Sequence, residues 1–226
     1  MIGFKARFTK YHQYAIASIS EVLKKEELEK SLKLKANTFA SCFIKNNGNG
    51  KFEMIPLPVQ AQLSSVFAMI ADDVDEDNNL DLIINGNDYG TEIGTGRYNA
   101  LNGLVLKGDG RGNFKALSSG ESGLYIPGDG KGLAYLKSFD ANPLLLATQN
   151  QGSLLAFSKK IKSRIIDILP DDVSAEYLFS NGTRRKQEFY YGNSFYSQSG
   201  RYILIGNNVK SISITNTKGT KRVISF

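Results

Sequence analysis

From about residue 40 the chain reads as period-two alternation and short apolar runs, the pattern of strands rather than helices. Ahead of that point the pattern differs. Ser18-Ile19-Ser20-Glu21 has capping-box spacing, and Val22, Leu23, Leu28 and Leu32 then form an apolar stripe among Lys and Glu. This predicts one amphipathic helix over 18–34, its stripe docked on a larger body.

Two segments of the β region match across an offset of 62 residues. The first is Phe43-Ile44-Lys45-Asn46-Asn47-Gly48-Asn49-Gly50-Lys51-Phe52 and the second Val105-Leu106-Lys107-Gly108-Asp109-Gly110-Arg111-Gly112-Asn113-Phe114. Both read as strand, glycine turn, aromatic. The same offset lays Leu82-Ile83-Ile84 on Leu144-Leu145-Leu146 and Gly90 on Gly152. A unit of this length, about one four-stranded sheet, suits a propeller blade or another radial β repeat, and two blades cannot close a ring.

The rhythm changes again near residue 160. Arg164 to Ile168, Ala175 to Phe179 and Ile212 to Ile214 alternate as antiparallel strands, with turns at Ser180-Asn181-Gly182 and Lys218-Gly219. The chain therefore divides into a helical segment 1–39, two β repeats over 40–160 and a C-terminal β segment over 161–226.

The sharpest chemical feature is Asp73-Val74-Asp75-Glu76-Asp77-Asn78-Asn79-Leu80-Asp81, set between the apolar runs Val66 to Ala71 and Leu80 to Ile84. Calcium takes six to eight hard oxygen ligands. Asp73, Asp75 and Asp77 at alternate positions, a backbone carbonyl at Asn79 and a carboxylate at Asp81 meet most of that need. An EF-hand would require glycine and glutamate where Asn78 and Ile84 stand, with a helix following, and is excluded. An acidic hairpin turn is the plain alternative, but so many carboxylates on one short loop repel one another without a cation. These carboxylates lie too close in sequence to face each other across a sugar as a glycosidase pair.

Composition narrows the function classes. With 22 glycines, five prolines, eleven Tyr and thirteen Phe, the chain favours short strands and tight turns. Its formal charge is +6, with basic clusters at Lys159, Lys160, Lys162 and Arg164, at Arg184, Arg185 and Lys186, and at Lys218, Lys221 and Arg222. No aromatic-and-basic RNA motif or zinc-finger spacing accompanies them, so they read as solvated strand faces and nucleic-acid binding is not expected. One cysteine and one histidine, Cys42 and His12, cannot build a disulfide or a Cys/His zinc site. Cys42, in the run Phe39-Ala40-Ser41-Cys42-Phe43-Ile44, reads as a packed core thiol. No apolar run approaches a membrane span, and no export signal is present in this chain.

Taken together, Asn47-Gly48-Asn49-Gly50-Lys51-Phe52 followed by Asp73 to Asp81 resembles the FG-GAP/VCBS repeat, over roughly residues 40–155. In that family a D-x-D-x-D-G-x-x-D loop binds calcium within a β-propeller blade. Asn78 stands at the usual glycine, a mild departure because Asn tolerates left-handed backbone. The second repeat keeps only Ser138-Phe139-Asp140-Ala141-Asn142 at the corresponding place, so the resemblance implies a calcium site in the first repeat alone. The run Tyr191-Gly192-Asn193-Ser194-Phe195-Tyr196-Ser197-Gln198-Ser199-Gly200-Arg201-Tyr202-Ile203 resembles the ASPIC/UnbV segment that follows such repeats in secreted bacterial proteins. Ser197, Gln198 and Ser199 are expected either as turn-forming hydrogen-bonders or as part of a binding surface.

The resemblance implies a mainly β chain of propeller-like blades with an N-terminal helix, and an extracellular or cell-surface location. It also implies the C-terminal part of a longer exported protein, able to dock on upstream blades. The expected function is calcium-stiffened, non-enzymatic binding or adhesion toward an extracellular protein or glycan. Asn87 to Asn102 is the candidate contact loop. The alternatives are a fragment of a polysaccharide-processing propeller enzyme, which turnover of glycan by the purified chain would reveal, and a structural cap of an upstream propeller.

Overall fold

The computed structural model describes residues 2–138, 143–160, 163–192 and 194–226, with backbone alone for 2–4. Phe139 to Asn142, the place of the second repeat's reduced loop, lies outside the described residues, as do Lys162 and Asn193. The chain folds as two compact units, Met1–Phe39 and Ala40–Phe226.

Among its described residues the first unit holds four short helices: α1 (Ile2–Arg7), α2 (Tyr11–Ala15), α3 (Ile19–Val22) and α4 (Lys25–Glu29). The Ser18 capping box forms, the Glu21 carboxylate accepting from the Ser18 amide and hydroxyl at 2.7 Å each. The single helix expected over 18–34 does not. Leu23 is extended, and Glu27 accepts from the Lys24 amide at 2.8 Å, starting a new helix there. Arg7 fixes the break by donating to the Val22 carbonyl at 2.7 Å and to both Glu27 oxygens. The break destroys the predicted stripe: Val22 is buried while Leu32 is 83% exposed.

The second unit is β throughout its main body. Strands β1 (Cys42–Asn46) and β2 (Phe52–Pro56) form a hairpin, closed by a turn with Gly48, Asn49 and Gly50 in left-handed backbone. Cys42 is half-buried at the start of β1, its Sγ 3.3 Å from the Ala40 carbonyl, rather than a core thiol, because this two-stranded hairpin is narrow. Strands β3 (Val66–Asp72), β4 (Asp81–Gly86), β5 (Leu104–Gly108) and β6 (Phe114–Leu117) make an antiparallel four-stranded meander in that order. A one-turn helix, α5 (Ser119–Ser122), leads to a three-stranded meander of β7 (Asp129–Leu136), β8 (Leu144–Asn150) and β9 (Leu155–Ser158). Strands β1 and β5 begin at Cys42 and Leu104, and β2 and β6 at Phe52 and Phe114, which is the sequence offset seen in strand starts.

β4 is buried on both faces, and this places the acidic loop firmly. Ile83 enters a cluster with Ala68, Ile70, Val105, Leu133 and Leu145, between the two meanders, while Ile84 packs with Ala61, Leu101, Leu104 and Leu106 on the other side. A strand buried on both faces reads as a continuous apolar run, which Leu82-Ile83-Ile84 does.

The C-terminal part has its own core of Ala175, Tyr177, Phe179, Ile203, Ile205, Ile212 and Ile214. It comprises β10 (Arg164–Asp167), β11 (Asp172–Phe179), β12 (Arg184–Glu188), β13 (Tyr202–Ile205), β14 (Val209–Asn216) and β15 (Lys221–Ser225). Their pairing gives one sheet of order β12-β11-β14-β15 and a separate pair β10-β13.

The serine-rich segment ahead of β13 runs along two sheet edges. β3 and β7 are the edge strands of their meanders. Ser194 Oγ donates to the Met69 carbonyl at 3.3 Å, and the Phe195 amide donates to the Phe67 carbonyl at 3.1 Å. Ser197 Oγ donates to the Leu133 carbonyl at 3.2 Å, and Ser199 Oγ accepts from the Tyr135 amide at 3.0 Å. These hydroxyls satisfy backbone groups that an open edge would leave bare.

Candidate metal centre

The β3–β4 connection is the acidic loop, and its two ends are fixed by the ladder, Asp72 pairing with Asp81. Asp81 is 1% exposed. Its Oδ1 accepts from the Gly108 amide and its Oδ2 from the Val74 amide, each at 2.9 Å. Burial pushes its carboxyl up, while those two amides pull it back down. Gly108 is obligatory there, since a Cβ would stand 2.2 Å from the Leu80 carbonyl oxygen.

Asp73 is almost as enclosed, its side chain 12% exposed. Oδ2 accepts from the Asn78 amide at 3.0 Å and from Arg185 at 3.4 Å, while Oδ1 is buried with no partner. Burial is the main reason its carboxyl is pushed up to about 6, the Arg185 charge opposing that shift. An orphaned buried carboxylate oxygen is costly unless a cation or proton meets it.

Oxygens of Asp73, Asp75 and Asp81 all lie within 4.8 Å of one another. Two ligands on one calcium ion, each about 2.3–2.6 Å from it, can be no more than about 5 Å apart, so the three fit a shared ion. Asp77 lies outside that group: its Oδ1 accepts from the Asn79 amide at 2.9 Å, and Lys107 Nζ stands 3.2 Å from its Oδ2. Lys107 also contacts Asp75, and the two carboxylates hold its ammonium well above the usual lysine range. Asn79 lies against the β5–β6 turn, where a Cβ on left-handed Gly110 would strike its Oδ1 at 2.3 Å.

The turn takes its shape from left-handed residues. Asn78 has φ +77°, the backbone a glycine would supply, and Glu76 has φ +60°.

Sequence reasoning missed the basic and amide side chains around the loop. The sequence puts Arg185 on a solvated face, but β12 alternates, and Arg185 turns inward while Arg184 and Lys186 are exposed. Its guanidinium lies 4.9 Å from the Tyr177 ring centroid and 5.2 Å from that of Phe179, and it donates to the Asn78 carbonyl at 3.0 Å. Lys159, also expected on a solvated face, has a side chain 8% exposed; it donates to the Asp73 carbonyl at 2.7 Å and pairs with Asp72 at 3.3 Å. Both corrections share a cause: a partner distant in sequence buries one side of a basic run. The period-two alternation around Arg185 was the available signal.

Over Asp73 to Asp81, five carboxylates, Asp73, Asp75, Glu76, Asp77 and Asp81, meet two cations, Arg185 and Lys107, so the loop keeps a negative excess that a cation would offset.

The other expected contact region, Asn87 to Asn102, is anchored at its base. Asn87 is buried, donating to the carbonyls of Leu101 and Gly128 at 2.6 and 2.8 Å. Beyond it Ile93 is 97% exposed. A groove of about 520 Å³ also borders the acidic loop, with Phe43, Phe114, Asn181 and Arg184 in its walls. No helix among the described residues is long and apolar enough to cross a membrane. Comparison with protein-family models finds no match for this chain, and comparison with curated proteins finds none either.

Proposed function

We propose that the chain is a calcium-binding, non-enzymatic β-repeat module for extracellular binding or adhesion, with the ion held by Asp73, Asp75 and Asp81. The observation that carries this reading is the convergence of those three carboxylates, with Asp73 Oδ1 buried and without a partner. Bound there, calcium would supply charge neutralisation and a rigid link between the ends of β3 and β4. Asp77 and the Asn79 carbonyl are the further oxygens that the loop spacing offers toward a shell of six to eight, a number that suits calcium better than magnesium.

The meander sheets, and the common offset from β1 to β5 and from β2 to β6, support FG-GAP/VCBS-like blades, and the serine segment supports an ASPIC/UnbV-like tail. The partner is an extracellular protein or glycan, met by the exposed part of the Asn87–Asn102 loop or by the groove beside the acidic loop.

Lys107 favours a second reading. An ammonium already set on Asp75 and Asp77 is a resident countercharge, which would make the loop an ion-paired turn without metal. Calorimetric titration of chelator-stripped protein separates the two. Saturable calcium binding, lost in Asp73→Asn and Asp75→Ala, supports the metal reading. Heat-silent titration to millimolar calcium, with a melting temperature that calcium leaves unchanged, supports the ion-paired turn.

A further inference from the structure

The acidic loop is held from outside by a residue 130 positions away. Asn208, in the turn between β13 and β14, donates from Nδ2 to the Glu76 carbonyl at 2.7 Å and to Asn78 Oδ1. Its own carbonyl is tied into the C-terminal part, accepting from the Ser180 amide at 2.8 Å and the Ser180 hydroxyl at 3.0 Å. The neighbouring Asn207 amide donates to Glu76 Oε2 at 3.4 Å. The turn comes close here: a Cβ on Gly206 would lie 3.1 Å from the Glu76 carboxylate.

The two loop residues that Asn208 grips are the two in left-handed backbone, Glu76 and Asn78. Non-glycine residues hold that conformation at a cost and persist in it where the surroundings impose it. The reversal they make folds the loop back so that the Asn78 amide caps Asp73 and Asp81 returns beside Val74. We infer that Asn208 is a positioning residue for the cation site, and that cation binding and docking of the C-terminal sheet are coupled through it. This rests on the calcium reading of the loop and adds its regulation. Because binding linkage is reciprocal, whatever loosens the β13–β14 turn weakens the ion, and the ion in turn holds the turn in place.

Asn208 carries no charge, so its replacement leaves the net charge of the loop unaltered. The test is calcium calorimetry on the full chain and on Asn208→Ala, Asn78→Gly and the double variant, with melting temperature in chelator measured alongside. Coupling typically amounts to about 5- to 150-fold in affinity. Here Asn208→Ala is expected to weaken calcium about tenfold. The loss should shrink in the Asn78→Gly background, where glycine adopts the left-handed turn without support and the contact to Asn78 Oδ1 is already gone. Asn208→Ser gives the same readout should the alanine variant fail to fold. A purely structural role would lower the melting temperature in chelator and leave affinity unchanged; that result overturns the inference while the calcium reading stands. Absence of binding by the unaltered protein overturns both.

Discussion

Lys107 Nζ stands 3.2 Å from Asp77 Oδ2, reaching from β5 across to the acidic loop. Its ammonium competes for the same field that would attract a divalent ion. At about 5 Å in a water-like medium, a unit charge opposes a divalent one by about 1–2 kcal/mol. Lys107→Met should therefore tighten calcium binding by about tenfold in low salt, with a smaller gain at high ionic strength. Calorimetry at two salt concentrations checks this, and weaker binding in the variant would contradict it.

Asp81 matters to the fold whether or not an ion is bound, because its two oxygens answer two backbone amides. In Asp81→Asn one of those amides faces an NH2 group and loses its acceptor. A buried unsatisfied donor costs about 1–3 kcal/mol. Denaturant unfolding in chelator should show that loss, and unchanged stability would mean the carboxylate is not the anchor of the loop.

Ser199 accepts from the Tyr135 amide, on the edge of β7. Ser199→Ala should destabilise the protein by about 1 kcal/mol and raise amide exchange at Tyr135. Faster exchange confined to residues remote from β7 would contradict the clip.

Glu27 gives a prediction with a definite pH window. The Arg7 guanidinium first, then the Lys24 amide, hold its carboxyl down to about 2. A depressed carboxylate contributes stability above its unfolded range, near pH 4, and loses that contribution as pH falls toward 2. Carbon NMR should give Glu27 a midpoint well below the usual glutamate value, rising toward it in Arg7→Ala. An ordinary midpoint in the unaltered protein would remove the Arg7–Glu27 clasp.

Much of the β architecture was legible because its cause is local. The glycine turn between Phe43 and Phe52, the doubly apolar run at Leu82-Ile83-Ile84 and the turn at Asn181-Gly182 each carry their own signal. The acidic loop was legible for the same reason, since alternate aspartates bring their own geometry, and Asn78 does adopt the left-handed backbone expected of it. What could not be read depends on groups far apart in sequence. The break at Leu23–Lys24 is set by Arg7, the inward turn of Arg185 by Asp73, and the shape of the Glu76–Asn78 turn by Asn208. Spacing puts Asp77 with the ligands, whereas its oxygens lie outside the group formed by Asp73, Asp75 and Asp81, and Lys107 from the neighbouring strand reaches both Asp75 and Asp77.

The central claim, one divalent ion shared by Asp73, Asp75 and Asp81, is tested most directly by crystals grown in calcium. An anomalous difference map should show a single peak about 2.3–2.6 Å from oxygens of all three carboxylates. A map with no peak at the loop, the Lys107 ammonium remaining on Asp75 and Asp77, would contradict it.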